Sequence, residues 1–211
     1  MSIENTAIVE AIYNALNNDR SISDNMNLII SLCDTGMPHN DWSKLRRLPY
    51  DHLAGLASWL KGVLVHEPPE IPLAGLWFGL FNPVYKKDPV SDIYVAGASA
   101  FSIESADWAC DPEYFPERGY AHSKILASIY RIAYSGVNGL GNNAEYPLCL
   151  AYGAFMVKRI LSEIDHRLIR NSDQEVGIAL GFDDGDYIIL GKITERGFIG
   201  WNPHYVLPGK A

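Results

Sequence analysis

The sequence predicts an α+β fold: a mainly antiparallel sheet of about four strands packed against helices. Three observations carry that expectation. Residues 175–193 read as a β-hairpin, residues 147–170 read as a long helix, and the strand-like runs fall in two sequence-adjacent pairs with no strict βαβ alternation. A chain of 211 residues can bury a full hydrophobic core, so we read residues 1–211 as one domain with a helical N-terminal part, 1–66.

The elements follow in order. Ile8, Ala11, Ile12 and Ala15 recur at helical spacing within residues 6–17, with Asn5 as a candidate cap. Ser21 to Asn27 is polar, and Leu28 to Leu32 is a short apolar run that fits either a helix end or a strand. Residues 42–65 read as one or two helices interrupted near Pro49, and His66 to Glu70, with its two prolines, stops them. Residues 72–82 form a continuous apolar run that reads as a strand buried on both faces. Asp92 to Phe101 is a second strand, rich in small residues and able to pair with the first.

Residues 107–120 are interrupted by Pro, Asp and Gly and read as an irregular loop pinned by aromatic rings. His122 to Ser135 reads as a helix ended by the glycine-rich stretch 136–143. From Pro147 to Arg170 an apolar stripe (Gly153, Val157, Ile160, Leu161, Ile164, Leu168) faces a polar one (Arg159, Glu163, His166, Arg170). Val176, Ile178, Leu180 and Phe182 then alternate, Asp183 to Asp186 turns the chain, and Tyr187 to Ile193 returns it.

Charge narrows the function classes. Lys plus Arg is 17 against 25 Asp plus Glu, a net charge of −8 spread along the chain. A polyanion is repelled by such a protein, so nucleic acid is not an expected partner, whereas a cationic partner is steered inward. The basic cluster Lys44, Arg46 and Arg47 is too small to reverse this. The cysteines Cys33, Cys110 and Cys149 are odd in number and far apart, which fits reduced thiols better than a disulfide scaffold or a zinc ribbon. No basic segment precedes an apolar run at the N-terminus, and the longest apolar stretch, Leu73 to Phe81, is too short for a spanning helix. We therefore expect a cytoplasmic protein with no membrane partner.

Catalytic motifs fail on spacing. Gly185 stands six residues before Gly191 where a phosphate loop ending in Gly191-Lys192 needs five, and Ile193 lacks the magnesium-binding hydroxyl. Gly139 and Gly141 do not complete a dinucleotide fingerprint, because Ala stands at position 144. Asp183, Asp184 and Asp186 lack the EF-hand ligand pattern, the six histidines form no HExxH, and Glu163 with His166 on one helix face can hold a metal only with further ligands from elsewhere. Ser99 keeps half of a nucleophile elbow, Cys149 has apolar neighbours, and Cys110 sits beside Asp111. No catalytic residue, metal or cofactor is expected.

Two segments combine acids with rings. Residues 107–117 carry four acids and no base, beside Trp108, Tyr114 and Phe115. The hairpin turn carries three acids beside Phe182 and Tyr187. Rings anchor protein contacts and acids select a cationic partner. The candidate partner-binding residues are thus Trp108, Asp111, Glu113, Tyr114, Asp183, Asp184, Asp186 and Tyr187. With Leu76-Trp77-Phe78-Gly79 in a strand and Gly181-Phe182-Asp183-Asp184-Gly185-Asp186-Tyr187 in the hairpin, the chain resembles bacterial immunity proteins that neutralise a cognate toxin, in composition and layout. The resemblance implies a non-enzymatic protein that binds a basic protein, such as a toxin. The alternative is a small hydrolase using a Ser or Cys nucleophile, or acids in an aromatic-lined cleft.

Overall fold

In a computed structural model, which describes residues 5–85, 88–170, 172–183 and 186–201, four helices come first: α1 (Asn5–Leu16), α2 (Ile22–Gly36), α3 (Trp42–Leu45) and α4 (Ala54–His66). Strands β1 (Gly75–Phe81), β2 (Val84–Tyr85), β3 (Asp88–Pro89), β4 (Asp92–Ala98) and β5 (Tyr120–Ala121) follow. Helices α5 (Lys124–Ala133) and α6 (Asn142–Glu163) precede β6 (Val176–Phe182), β7 (Tyr187–Thr194) and β8 (Gly197–Gly200).

The main sheet has six strands in the order β5-β4-β1-β6-β7-β8, and β2 and β3 form a separate two-stranded ribbon. Of its neighbours only β1 and β6 run parallel; every other pairing is antiparallel. The fold is therefore α+β with an antiparallel-dominated sheet, as its sequence predicts. The two expected pairs, β1 with β4 and β6 with β7, form its centre. The sequence reading counts about four strands because β5 and β8 span only two and four residues. Strands that short carry too little alternation to stand out from loops.

One face of the sheet meets the helices. Leu76, Phe78 and Leu80 of β1, Ile93 and Val95 of β4, and Ile178 and Leu180 of β6 join a single apolar cluster that also takes in Ile8, Met26, Leu60 and Ile129 of the helices. Full burial of each such side chain contributes about 1.5–3 kcal/mol. The N-terminal helices thus share one core with the sheet.

Helix α6 sits inside this core. From Ala144 to Val157 only Tyr146 escapes full burial. A helix apolar all round belongs in the interior, so the expected two-sided stripe applies only near its C-terminal end. Two boundaries also differ from the sequence reading. The helix begins at Asn142, with Pro147 already inside it, and ends at Glu163. Pro147 removes one bond to the carbonyl of Asn143, and Asn143 is exposed, where water can take that bond. His166 falls in a short 3-10 turn, while Arg159 and Glu163 pair at 2.6 Å.

Residues 28–32 lie within α2, which already starts at Ile22. Its start is fixed by a local cap and by a residue from another part of the chain. Ser21 caps Asp24, and the carboxylate of Asp51 accepts the amide of Ile22 at 2.9 Å and the hydroxyl of Ser23. A cap supplied 29 residues away is invisible to local spacing.

Candidate functional site

The second face of the sheet is floored by small residues. Gly75 and Gly79 of β1 and Gly177 and Gly181 of β6 pair in register, with Trp77 and Ala179 between them. Aromatic rings lie in the space these glycines leave. A Cβ at Gly79 would overlap the ring of Tyr94, one at Gly177 the ring of Phe101, and one at Gly75 would stand 2.6 Å from the ring of Trp108. Trp77, Ala179 and Ile189 are buried there as a second cluster, partly covered by Tyr94, Phe101, Trp108, Tyr187 and Trp201. The loop that runs from β4 to β5 supplies most of that cover.

Beside this covered zone the rings come to the surface. Phe81, Tyr94, Phe115 and Tyr120 meet one another with centroids 5.3 to 5.9 Å apart, mostly edge to face. Phe115 is 48% exposed and Tyr120 51%. Rings packed edge to face are held rigidly by one another, and this costs little entropy on binding. The patch ends at β5, the outermost strand of the sheet on that side.

Acids lie on the same segments of chain as the rings. The carboxylates of Asp107, Asp111 and Glu117, all exposed on the β4–β5 loop, have no hydrogen-bond or ion-pair partner among the described residues. The hydroxyl of Tyr94 donates to Asp183 at 2.7 Å, and that of Tyr146 donates to Asp186 at 2.6 Å. Both acids stay exposed, so each keeps its charge at the surface while a phenol fixes its position. Burial, and then the Asp183 carboxylate, hold the Tyr94 phenol well above its usual range; burial and then Asp186 do the same for Tyr146.

The eight residues singled out from the sequence do not all reach this surface. Asp111, Asp183 and Asp186 are exposed. Tyr187 is half-buried against Trp77, with ring centroids 6.1 Å apart. Trp108 is also half-buried, edge-on to Trp77 at 6.2 Å. Tyr114 is buried, and its hydroxyl donates to the carbonyl of Glu67 at 2.8 Å, so its ring props the loop from beneath. Glu113 accepts the hydroxyl of Ser99 at 2.5 Å and its amide at 2.9 Å, and these bonds hold its carboxyl below the usual range. Asp184 lies outside the described residues. Phe81, Tyr94, Phe115 and Tyr120 complete the patch. Tyr94 could have been placed from β4 alternation: it shares a face with Ala96 and not with the core residues Ile93 and Val95.

Most of the groups weighed for chemistry are engaged by other contacts or buried. Ser99 is bound by Glu113, whose lowered pKa makes it a weak base. The thiol of Cys149 is fully buried and pushed up to about 12 by that burial. Cys110 is exposed. Lys192 is exposed on β7 and pairs with Glu175 at 2.6 Å. Of the histidines, His39, His66 and His166 bond to backbone carbonyls and His122 to the buried carboxylate of Asp92. His204 lies outside the described residues. Among the described residues no group of three or more His, Cys, Asp or Glu is placed to hold a metal ion. Nor is any helix among them long and apolar enough to cross a membrane.

Compared with protein-family models, with curated proteins and with solved structures, the chain matches none.

Proposed function

We propose that this is a non-enzymatic, cytoplasmic protein that binds a basic protein through the second face of its sheet. The observation that carries the reading is the exposed ring patch of Phe115 and Tyr120 at the end of the loop that carries the exposed carboxylates of Asp107, Asp111 and Glu117, which have no partner among the described residues. Rigid rings supply a desolvated anchor, and free acids give speed and selectivity toward a cationic surface. The net charge of −8 acts in the same direction at long range. A toxin neutralised by an immunity protein is one partner of this chemistry, in keeping with the resemblance drawn from the sequence.

The test is capture from lysate of the source cells, run in parallel with the native chain and with a Phe115→Ser/Tyr120→Ser variant. Both rings are about half exposed, so the variant keeps its core. A basic protein retained by the native chain and lost with the variant supports the reading. Retention of no protein, or of the same proteins by both chains, overturns it.

A further inference from the structure

We propose that the side chain which the ring patch receives from its partner is an arginine, stacked on the rings and bound at its edge by the carboxylate of Asp183. This rests on the reading given above and deepens it, because that reading asks only for a basic protein. The acids of the β4–β5 loop share a segment of chain with the rings. Among the described residues, Asp183 is the acid that a hydrogen bond joins to the patch itself. Its Oδ1 accepts the hydroxyl of Tyr94 at 2.7 Å. The Tyr94 ring in turn meets Phe115 and Tyr120, with centroids 5.8 and 5.6 Å away. A carboxylate thus stands one hydrogen bond from the ring cluster, held there by a member of that cluster.

Both halves of this arrangement have capacity left for a partner. Asp183 is exposed, and its Oδ2 has no hydrogen-bond or ion-pair partner among the described residues. Tyr94 is half-buried, with one side of its ring against Gly79. Phe115 and Tyr120 are each about half exposed. Burial, and then Asp183 itself, hold the Tyr94 phenol above its usual range, so the phenol stays a donor and the charge stays on the carboxylate.

These features favour a guanidinium over an ammonium. A cation within about 6 Å of a ring centroid is attracted to the ring. A guanidinium is flat, weakly hydrated and carries its donors along its edge, so it can lie on a ring while donating to a carboxylate at the rim. A lysine ammonium is a compact, strongly hydrated point charge with no flat face to stack.

The test uses two capped peptides of equal charge, tri-arginine and tri-lysine, titrated into the full chain at low ionic strength and followed by calorimetry. Tri-arginine should bind about tenfold more tightly than tri-lysine. Asp183→Asn changes an exposed side chain, and the amide oxygen can still accept the Tyr94 hydroxyl. This variant should weaken tri-arginine by about tenfold and bring the two peptides within about twofold of each other. The arginine assignment is overturned if both peptides bind the native chain equally, if Asp183→Asn keeps the preference, or if neither peptide binds at up to about 10 mM. Failure of the underlying reading is registered separately. Equal binding of the peptides, with a basic protein still captured by the native chain and lost with Phe115→Ser/Tyr120→Ser, refutes the arginine alone. Capture of no protein overturns the basic-protein reading whatever the peptides do.

Discussion

The phenol of Tyr94 lies across Gly79 on the neighbouring strand, and its hydroxyl reaches Asp183 at 2.7 Å, a residue 89 positions later in the chain. One side chain thus joins two strands and the hairpin turn. Replacing Tyr94 with Phe keeps the ring and removes the hydroxyl. The expected loss is about 1 kcal/mol of unfolding free energy by chemical denaturation, because the released carboxylate is exposed and regains water. No change in stability would show that the turn is held by other contacts.

Gly79 is the other half of that relationship. An added methyl would overlap the Tyr94 ring, so Gly79→Ala must push the ring off the sheet. We expect a loss of about 1–3 kcal/mol. Gly55 is the control: it lies within α4, is exposed, and a Cβ there meets nothing within 4 Å. Gly55→Ala should raise stability by about 0.5–1 kcal/mol. Equal effects of the two changes in denaturation midpoint would refute the packing described for the glycine floor.

Alkaline pH should unfold the protein cooperatively. Burial raises the phenols of Tyr50, Tyr94, Tyr146 and Tyr152, and pushes Tyr114 up to about 12. A phenol is neutral when protonated, and in the unfolded chain it ionises near pH 10, at about the reference value. A folded pKa above that value gives stability that is complete below about pH 10 and is lost as pH rises through the folded value. Tyrosinate absorbance should therefore show these rings ionising together with the loss of circular dichroism. Ionisation of all twelve tyrosines near the reference value, with the fold intact, would contradict the burial described.

The three thiols should divide sharply. Cys33 and Cys149 are buried, and burial pushes each thiol up to about 12; Cys110 is exposed. A thiol reagent should label one cysteine in the native protein and all three in denaturant, with Cys110→Ser abolishing the native reaction. Rapid native labelling of Cys149 would reopen the nucleophile reading.

What was legible in the sequence is what repeats within a few residues. The β6–β7 hairpin was readable because Val176, Ile178 and Leu180 alternate ahead of an Asp-Gly turn, and the structure pairs Val176 with Ile193. The start of α2 rests on the local cap Ser21 and also on the carboxylate of Asp51, 29 residues away, and only the first of these could be read from local spacing. Helix α6 misled at its first half: a continuous apolar run fixes burial but not where the helix begins. At the candidate site, acidity and ring content singled out the β4–β5 loop, and Asp111 is indeed exposed there. Composition could not separate Tyr114, which is buried under the loop, from Phe115, which is on the surface. Neighbours in sequence on an irregular segment point in directions that only the tertiary packing decides.

The most direct measurement of the partner-binding account is the association rate of the captured protein with the native chain and with the variant Asp107→Asn/Asp111→Asn/Glu117→Gln, at low and at high ionic strength. Those carboxylates have no partner among the described residues, so their loss should leave the fold intact and remove only their field. The native rate should fall by about tenfold or more as salt rises, and the variant should be slower at low salt and nearly insensitive to salt. Equal rates for the two chains, with the same dependence on salt, would contradict the claim that this acidic, ring-bearing face receives a basic protein.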